Sequence, residues 1–315
     1  MNEVLYVVIP CYNEQEVLRE TAKRLKEKFQ TLIAAKNISA KSRIVFVNDG
    51  SKDSTWKIIC ELHERDKIFS GINLSRNRGH QNALLAGLMT VKDCADMVIS
   101  MDADLQDDIN AIDEMICRYK EGFDIVYGVR SKRETDTFFK RFTAESFYKL
   151  IKFLGADIVN NHADYRLMSR RALDGLAQFG EVNLFLRGIV PMIGYPSAKV
   201  YYERAERFAG ESKYPLKKML SFAFQGITSL TVEPIRMITT LGVAMSSISF
   251  FVILWTLYEY FFGDTVRGWT SMLASLWFIG GLILLSIGIV GEYVGKIYLE
   301  SKKRPRFIVS EFLNE

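Results

Sequence analysis

Short, mostly apolar runs punctuate the first 130 residues, at 6–9, 43–47, 71–74, 97–101 and 124–127. Runs of this length, without alternation, read as strands buried on both faces. Between them, 14–35, 54–66, 80–91 and 109–119 carry apolar residues at helical spacing. Strands alternating with helices predict an α/β domain with a mostly parallel sheet covered on both sides. Ligands of such sheets bind beyond the carboxyl ends of the strands. The polar clusters fall at those ends: Tyr12, Asn13 and Glu14; 49–53; 76–81; and 102–106.

The pattern then changes. Phe138, Phe142, Phe147, Leu150, Ile151 and Leu154 recur at helical spacing among basic residues, as do Leu216, Met219, Leu220, Ala223, Ile227 and Leu230. These stripes suit either core-facing helices or helices lying in a membrane interface, with lysines toward anionic head groups. Two uncharged stretches follow, 237–258 and 269–291. Each exceeds the roughly 20 apolar residues that span a bilayer, so two transmembrane helices are expected. Lys296, Lys302, Lys303, Arg304 and Arg306 follow the second stretch, and only Arg267 lies in the link between them. That asymmetry predicts a multi-pass protein of the inner (plasma) membrane with its N-terminal domain and both termini cytoplasmic. Glu3 and Pro10 bracket too short an apolar run for a signal peptide. The expected organisation is therefore an α/β domain at 1–230, including interfacial helices at about 137–155 and 215–230, a two-helix membrane region at 231–298, and a tail at 299–315. Gly291 and Gly295 have the spacing that permits close helix contact, and with it a homo-oligomer.

Composition adds exclusions. A net charge of +4 is too small to imply nucleic acid as a partner. Cys11, Cys60, Cys94 and Cys117 form no CxxC pair, which argues against a disulfide framework or a zinc site. The strongest chemical signal is Asp102-Ala103-Asp104 directly after a strand. Carboxylates two residues apart on extended chain share a side. They can hold Mg²⁺ or Mn²⁺, which take oxygen ligands and share them with substrate phosphates. Gln106 can add a carbonyl oxygen.

Several segments together resemble the inverting family 2 glycosyltransferases, which have a Rossmann-like, GT-A type fold. They are Val8-Ile9-Pro10-Cys11-Tyr12-Asn13-Glu14, Val47-Asn48-Asp49-Gly50-Ser51-Lys52-Asp53 and Met101-Asp102-Ala103-Asp104-Leu105-Gln106-Asp107. Asp164-Tyr165-Arg166-Leu167 and the stretch from Arg207 to Tyr214 are similar to the polyprenyl-phosphate glycosyltransferase and dolichol-phosphate mannose synthase branch. The resemblance implies that Pro10, Tyr12, Asn13 and Glu14 line a nucleoside pocket. Asp49 then meets the base, with Ser51 and Asp53 shaping its turn. Asp102 and Ala103 lie by the ribose or donor sugar, Asp104 and Gln106 ligate the metal, and Asp164 is the candidate base. An ion pair with Arg166 is the alternative for Asp164. Arg78 stands where the family has an aromatic residue and reads as a loop charge. His80 and His162 have no ligand partner at useful spacing.

The expected reaction passes a sugar from a nucleotide-sugar, UDP-glucose first, to polyprenyl (undecaprenyl) phosphate. UDP-N-acetylhexosamine and GDP-mannose are the alternatives. Arg130, Arg166, Arg207 and Lys213, with Ser212, are candidates to hold the acceptor phosphate, because guanidinium and ammonium groups match that charge. A processive polysaccharide synthase is disfavoured by the lack of a QxxRW motif. An inactive membrane scaffold or nucleotide-sugar sensor is disfavoured by the intact carboxylates Asp102, Asp104 and Asp164.

Overall fold

The computed structural model describes residues 2–130, 162–182, 184–203 and 268–314, with isolated positions between 235 and 251. The strands are β1 (Leu5–Cys11), β2 (Arg43–Asn48), β3 (Phe69–Leu74), β4 (Met97–Ser100), β5 (Ile125–Arg130), β6 (His162–Ser169), β7 (Ser197–Tyr202) and β8 (Val309–Leu313). The helices are α1 (Leu18–Ala34), α2 (Thr55–Arg65), α3 (His80–Val91), α4 (Ala111–Lys120), α5 (Arg170–Ala177), α6 (Leu186–Met192) and α7 (Trp269–Ser301). The strands form one eight-stranded sheet in the order β7-β5-β6-β4-β1-β2-β3-β8. The alternation expected up to β5 is present. The sheet is mixed, because β6 runs antiparallel to β4 and β5, and β8 antiparallel to β3.

Both faces of the sheet are covered, which explains the mostly apolar runs. Leu5, Val7 and Ile9 of β1 pack with Leu18, Leu25 and Phe29 of α1 on one side. Tyr6 and Val8 face the other side with Leu84, Leu85 and Leu88 of α3. A methyl group at Gly87 would collide with Val8 and Val47. That glycine lets α3 sit close on the sheet, and α3 carries His80 at its first position.

The chain after α7 returns to the domain. Arg306 donates to the carbonyls of Phe179 and Glu181 (3.0 and 3.3 Å), and β8 pairs with the edge strand β3. The last strand of the sheet thus comes from the stretch read as a tail, with Phe307, Val309 and Phe312 packed against the α3 side of the core.

Two expectations are corrected. Among the described residues, no helix is long and apolar enough to cross a membrane. The expected transmembrane pair, and the multi-pass membrane localisation inferred from it, do not stand against that finding. The first stretch, 237–258, lies outside the described residues apart from isolated positions. In α7 the side chains described without a break begin at 286, and that run carries Glu292, Lys296 and Glu300. Only six residues of that run precede Glu292, so it holds no apolar length near the roughly 20 residues that spanning requires. The expected interfacial helices at 137–155 and 215–230 lie outside the described residues.

Candidate active site

The loops after β1 and β2 are stitched together. The Asn13 amide donates to Ser51 Oγ (3.0 Å), and Asn13 Oδ1 accepts from the Lys52 amide (2.9 Å). Asp53 accepts from the Gln15 amide (3.3 Å) and from the Thr55 amide and hydroxyl (3.0 and 2.6 Å), while Thr55 Oγ1 takes the Glu14 amide (3.0 Å). Gly50 has φ +63°, and a Cβ there would lie 2.5 Å from the Asn77 backbone nitrogen. Only glycine tolerates both conditions. This close approach brings in the loop after β3. Asp49, only 3% exposed, accepts the backbone amides of Arg78 (2.7 Å) and Gly79 (2.9 Å). Burial pushes its carboxyl up, and those two amides oppose the shift. Asp49 therefore fixes the loop that leads into His80. Pro10 is buried near the end of β1, and Tyr12 is 44% exposed beside this cluster.

The second half of the site follows from the antiparallel pairing of β6. The β4–β6 ladder ends at the pair Ser100–Arg166, and Asp102 and Asp164 each lie two residues beyond it. Ser100 Oγ donates to the Asp164 carbonyl at 2.5 Å. His80 Nε2 lies between the two carboxylates, 3.6 Å from Asp102 and 3.5 Å from Asp164. The His80 side chain remains 45% exposed. Asp164 is enclosed by cations: Arg166 Nη2 at 2.5 Å and Arg187 Nη2 at 3.2 Å. Burial alone would raise its carboxyl. Arg187, His80 and Arg166 outweigh that and hold it well below the usual carboxylate range. Asp102 behaves oppositely. Burial, opposed by His80 and reinforced by Asp107, Asp164 and Asp104, pushes it up to about 6.

Residues 102–108 turn sharply after β4. Leu105 has φ +57°, and Asp104 Oδ1 accepts the Gln106 amide at 3.2 Å. Ala103 is buried, and its carbonyl takes the Thr21 hydroxyl at 2.8 Å. Asp104 and Gln106 stay partly exposed on this turn.

Of the expected acceptor residues, Arg130 ends β5 with 24% of its side chain exposed. Arg166 is 1% exposed and turned toward Asp164 and the Leu186 carbonyl, so in this arrangement it offers no face to a ligand. Arg207, Ser212 and Lys213 lie outside the described residues. A separate cleft of about 400 Å³ opens at the amino ends of the strands, lined by Glu3, Asp96, Asp124 and Arg171 among others. Asp124 there is engaged by Ser169 and Arg171, at the opposite end of the sheet from Asp102.

The family model described as "Glycosyl transferase family 2" matches residues 6–176, from β1 into α5 and across every loop just described. This chain belongs to glycosyl transferase family 2. Its relatives include the uncharacterized glycosyltransferase YkoT of Bacillus subtilis, 53% identical over 97% of this chain and 91% of that protein. The bactoprenol glucosyl transferase of Shigella phage SfV is 42% identical over 96% of this chain and 97% of that one. The prophage bactoprenol glucosyl transferase homolog of Escherichia coli is 40% identical over the same shares.

In this family 2 glycosyltransferase, two site residues escaped the sequence reading. His80 was set aside for want of a spaced ligand partner, although its place at a strand's carboxyl end was the useful signal. Arg187 is a single charge within the apolar run Leu184-Phe185-Leu186-Arg187-Gly188-Ile189-Val190. A charge in such a run must find a partner when it folds. Arg78 is more than a loop charge, since its backbone amide is held by Asp49 and its Nε is buried with no hydrogen-bond partner among the described residues. The donor set after β4 fits a divalent cation. It offers hard oxygen atoms from Asp102, Asp104 and Gln106, and no three His, Cys, Asp or Glu side chains among the described residues form a self-contained metal site. Such a set suits a cation that completes its shell with substrate phosphates.

Proposed function

We propose that this family 2 glycosyltransferase moves glucose from UDP-glucose to a polyprenyl phosphate such as undecaprenyl phosphate, with inversion. The observation that carries the reading is the meeting of two charge environments. The Asp102–Gln106 turn faces the Asp164–Arg187–His80 cluster at the carboxyl end of the sheet. Relatives at 41–42% identity over nearly the whole chain are named bactoprenol glucosyl transferases, which supports the acceptor and the sugar. A lipid acceptor makes a membrane surface a partner of the site.

The stitched loops around Pro10, Tyr12, Asn13, Glu14, Asp49, Ser51 and Asp53 hold the nucleoside. Asp102 and Ala103 meet the ribose or sugar. Asp104 and Gln106 hold Mg²⁺ or Mn²⁺, which when bound stabilises the negative charge that develops on the departing diphosphate. The new bond joins an acceptor phosphate oxygen to the anomeric carbon. The bond from that carbon to the diphosphate oxygen breaks, and its electron pair leaves with UDP. A phosphate monoester with a second pKa of about 6 is mostly a dianion at neutral pH. It needs no strong base, and Asp164, held ionised, is a poor one. Asp164 instead fixes Arg187 and His80, and Arg187 faces the incoming phosphate. Arg130, Arg207, Ser212 and Lys213 complete that receptor.

The decisive measurement uses purified protein, Mn²⁺, undecaprenyl phosphate and radiolabelled UDP-glucose, UDP-N-acetylglucosamine or GDP-mannose in parallel. Lipid-extractable label is expected from UDP-glucose above the other two. Preference for another donor would replace the sugar assignment, and label from none would remove the reaction. A variant probes the site's centre. His80→Ala is expected to lower kcat/KM by about tenfold or more, as for a lost contact to a charged group. His80→Gln, which keeps an N–H in that region, should recover part of it. Equal rates in all three proteins would take His80 out of the site.

A further inference from the structure

We propose that Tyr202 is a positioning residue for the metal-binding turn, acting through Asp107. The inference rests on the reading that Asp104 and Gln106 hold the cation. Asp107 directly follows Gln106, and its side chain is 1% exposed. Tyr202, the last residue of β7 and itself 3% exposed, donates its hydroxyl to Asp107 Oδ1 at 2.5 Å. Arg130, the last residue of β5, lies 3.7 Å from the same oxygen and donates Nε to the Tyr202 hydroxyl at 3.4 Å. Arg130 and Tyr202 are the final register pair of the β5–β7 ladder, so the two side chains leave the sheet side by side. A second tyrosine braces the first. Tyr165 meets the Tyr202 ring edge to face, 5.3 Å between centroids, and its hydroxyl donates to the Asp108 carbonyl at 2.9 Å.

The turn needs such support. Leu105 holds a left-handed conformation that a leucine adopts only under restraint from its surroundings. Within the turn, Asp104 Oδ1 accepts the Gln106 amide. A buried carboxylate is a costly way to fill space, and an apolar side chain would pack there more cheaply. A carboxylate placed one residue beyond a ligand, and held by a hydroxyl from another strand, has the character of the outer-shell groups that orient metal ligands. The same latch sits where the chain leaves β5 and β7 for the segments beginning at 131 and 204. Tyr202 therefore joins the metal-binding turn to the roots of the two segments expected to meet the lipid.

Tyr202→Phe keeps the ring against Tyr165 and removes the hydroxyl. The test is calorimetric titration of UDP into the full-length protein, with Mn²⁺ or with EDTA, and no acceptor. The unmutated protein should bind UDP more tightly with Mn²⁺; if it does not, the metal reading itself fails. Given that response, Tyr202→Phe is expected to weaken Mn²⁺-dependent UDP binding by about 10- to 100-fold, the usual effect of losing an outer-shell partner. Binding in EDTA should stay unchanged. Equal Mn²⁺ response in both proteins, or equal losses with and without metal, would overturn the proposal. Should Tyr202→Phe fail to fold, Arg130→Gln decides on the same readout, with a metal-specific loss expected and its absence fatal.

Discussion

Asp104→Asn is expected to lower kcat by about 100- to 1000-fold, the scale seen when one preorganised stabiliser of transition-state charge is removed. The change is conservative in shape. An asparagine Oδ1 can still accept the Gln106 amide that Asp104 now takes at 3.2 Å. What it lacks is the negative charge that a divalent cation requires. Raising Mn²⁺ should therefore restore little, while UDP binding in EDTA should match the unmutated protein. Turnover is followed as lipid-extractable label over a Mn²⁺ series. Full activity of the unmutated enzyme in EDTA would sink the metal assignment, and with it the role given to Gln106.

Much of this site was legible in the sequence, and the legible part has a common cause. The strands β1 to β4 alternate with helices, so each carboxyl end is marked by a switch from an apolar run to a polar cluster. That switch located Asn13, Asp49, Asp102 and Asp104, and it placed the helix 80–91 to the residue. The return strand β6 was not marked in this way. Its antiparallel course follows a stretch whose helical stripe gives no sign of a returning strand, and only the resemblance at Asp164-Tyr165-Arg166-Leu167 singled it out. The pairing that brings Asp164 near Asp102 is a tertiary fact, and so is the lodging of His80 between them. Asp107 stood inside a recognised motif, yet its partner Tyr202 lies 95 residues away and carries no local signal. The strand β8 is five residues at the chain's far end, too short for its pattern to declare a sheet. The spans were inferred from missing charge alone, and charge pattern says nothing of what a helix packs against. Arg166 was named both as a candidate for the acceptor phosphate and as an ion-pair partner of Asp164, and the fold forms the ion pair with Arg166 buried.

Asp164→Asn is expected to destabilise the protein by about 3–5 kcal/mol, because it leaves a buried guanidinium without its counter-charge. Arg166 is 1% exposed and cannot turn to water, while Arg187 is only a third exposed. Urea unfolding at pH 7 measures the loss. Its pH dependence carries a sign. The folded Asp164 carboxyl lies well below its usual range, since Arg187, His80 and Arg166 outweigh burial. The stability it contributes is therefore complete above the unfolded value of about 3.9 and drains as pH falls from there toward the folded pKa. Against burial, Asp164 also raises the His80 pKa, so the gap between unmutated and variant proteins should grow somewhat as His80 protonates between pH 7 and 5, and should narrow below 4 as Asp164 itself takes up a proton. A gap that is small at pH 7, or that fails to narrow below pH 4, would show that the ion cluster does not form. Kinetics of the folded variant then separate two roles. A base would show its loss in kcat at saturating lipid, with the apparent KM for polyprenyl phosphate unchanged. A group that fixes Arg187 for the acceptor should instead raise that KM, while nucleotide-sugar affinity holds. The second outcome is expected, because a dianionic phosphate brings its own nucleophile and the carboxylate beside it is bound too tightly by cations to accept a proton near neutrality.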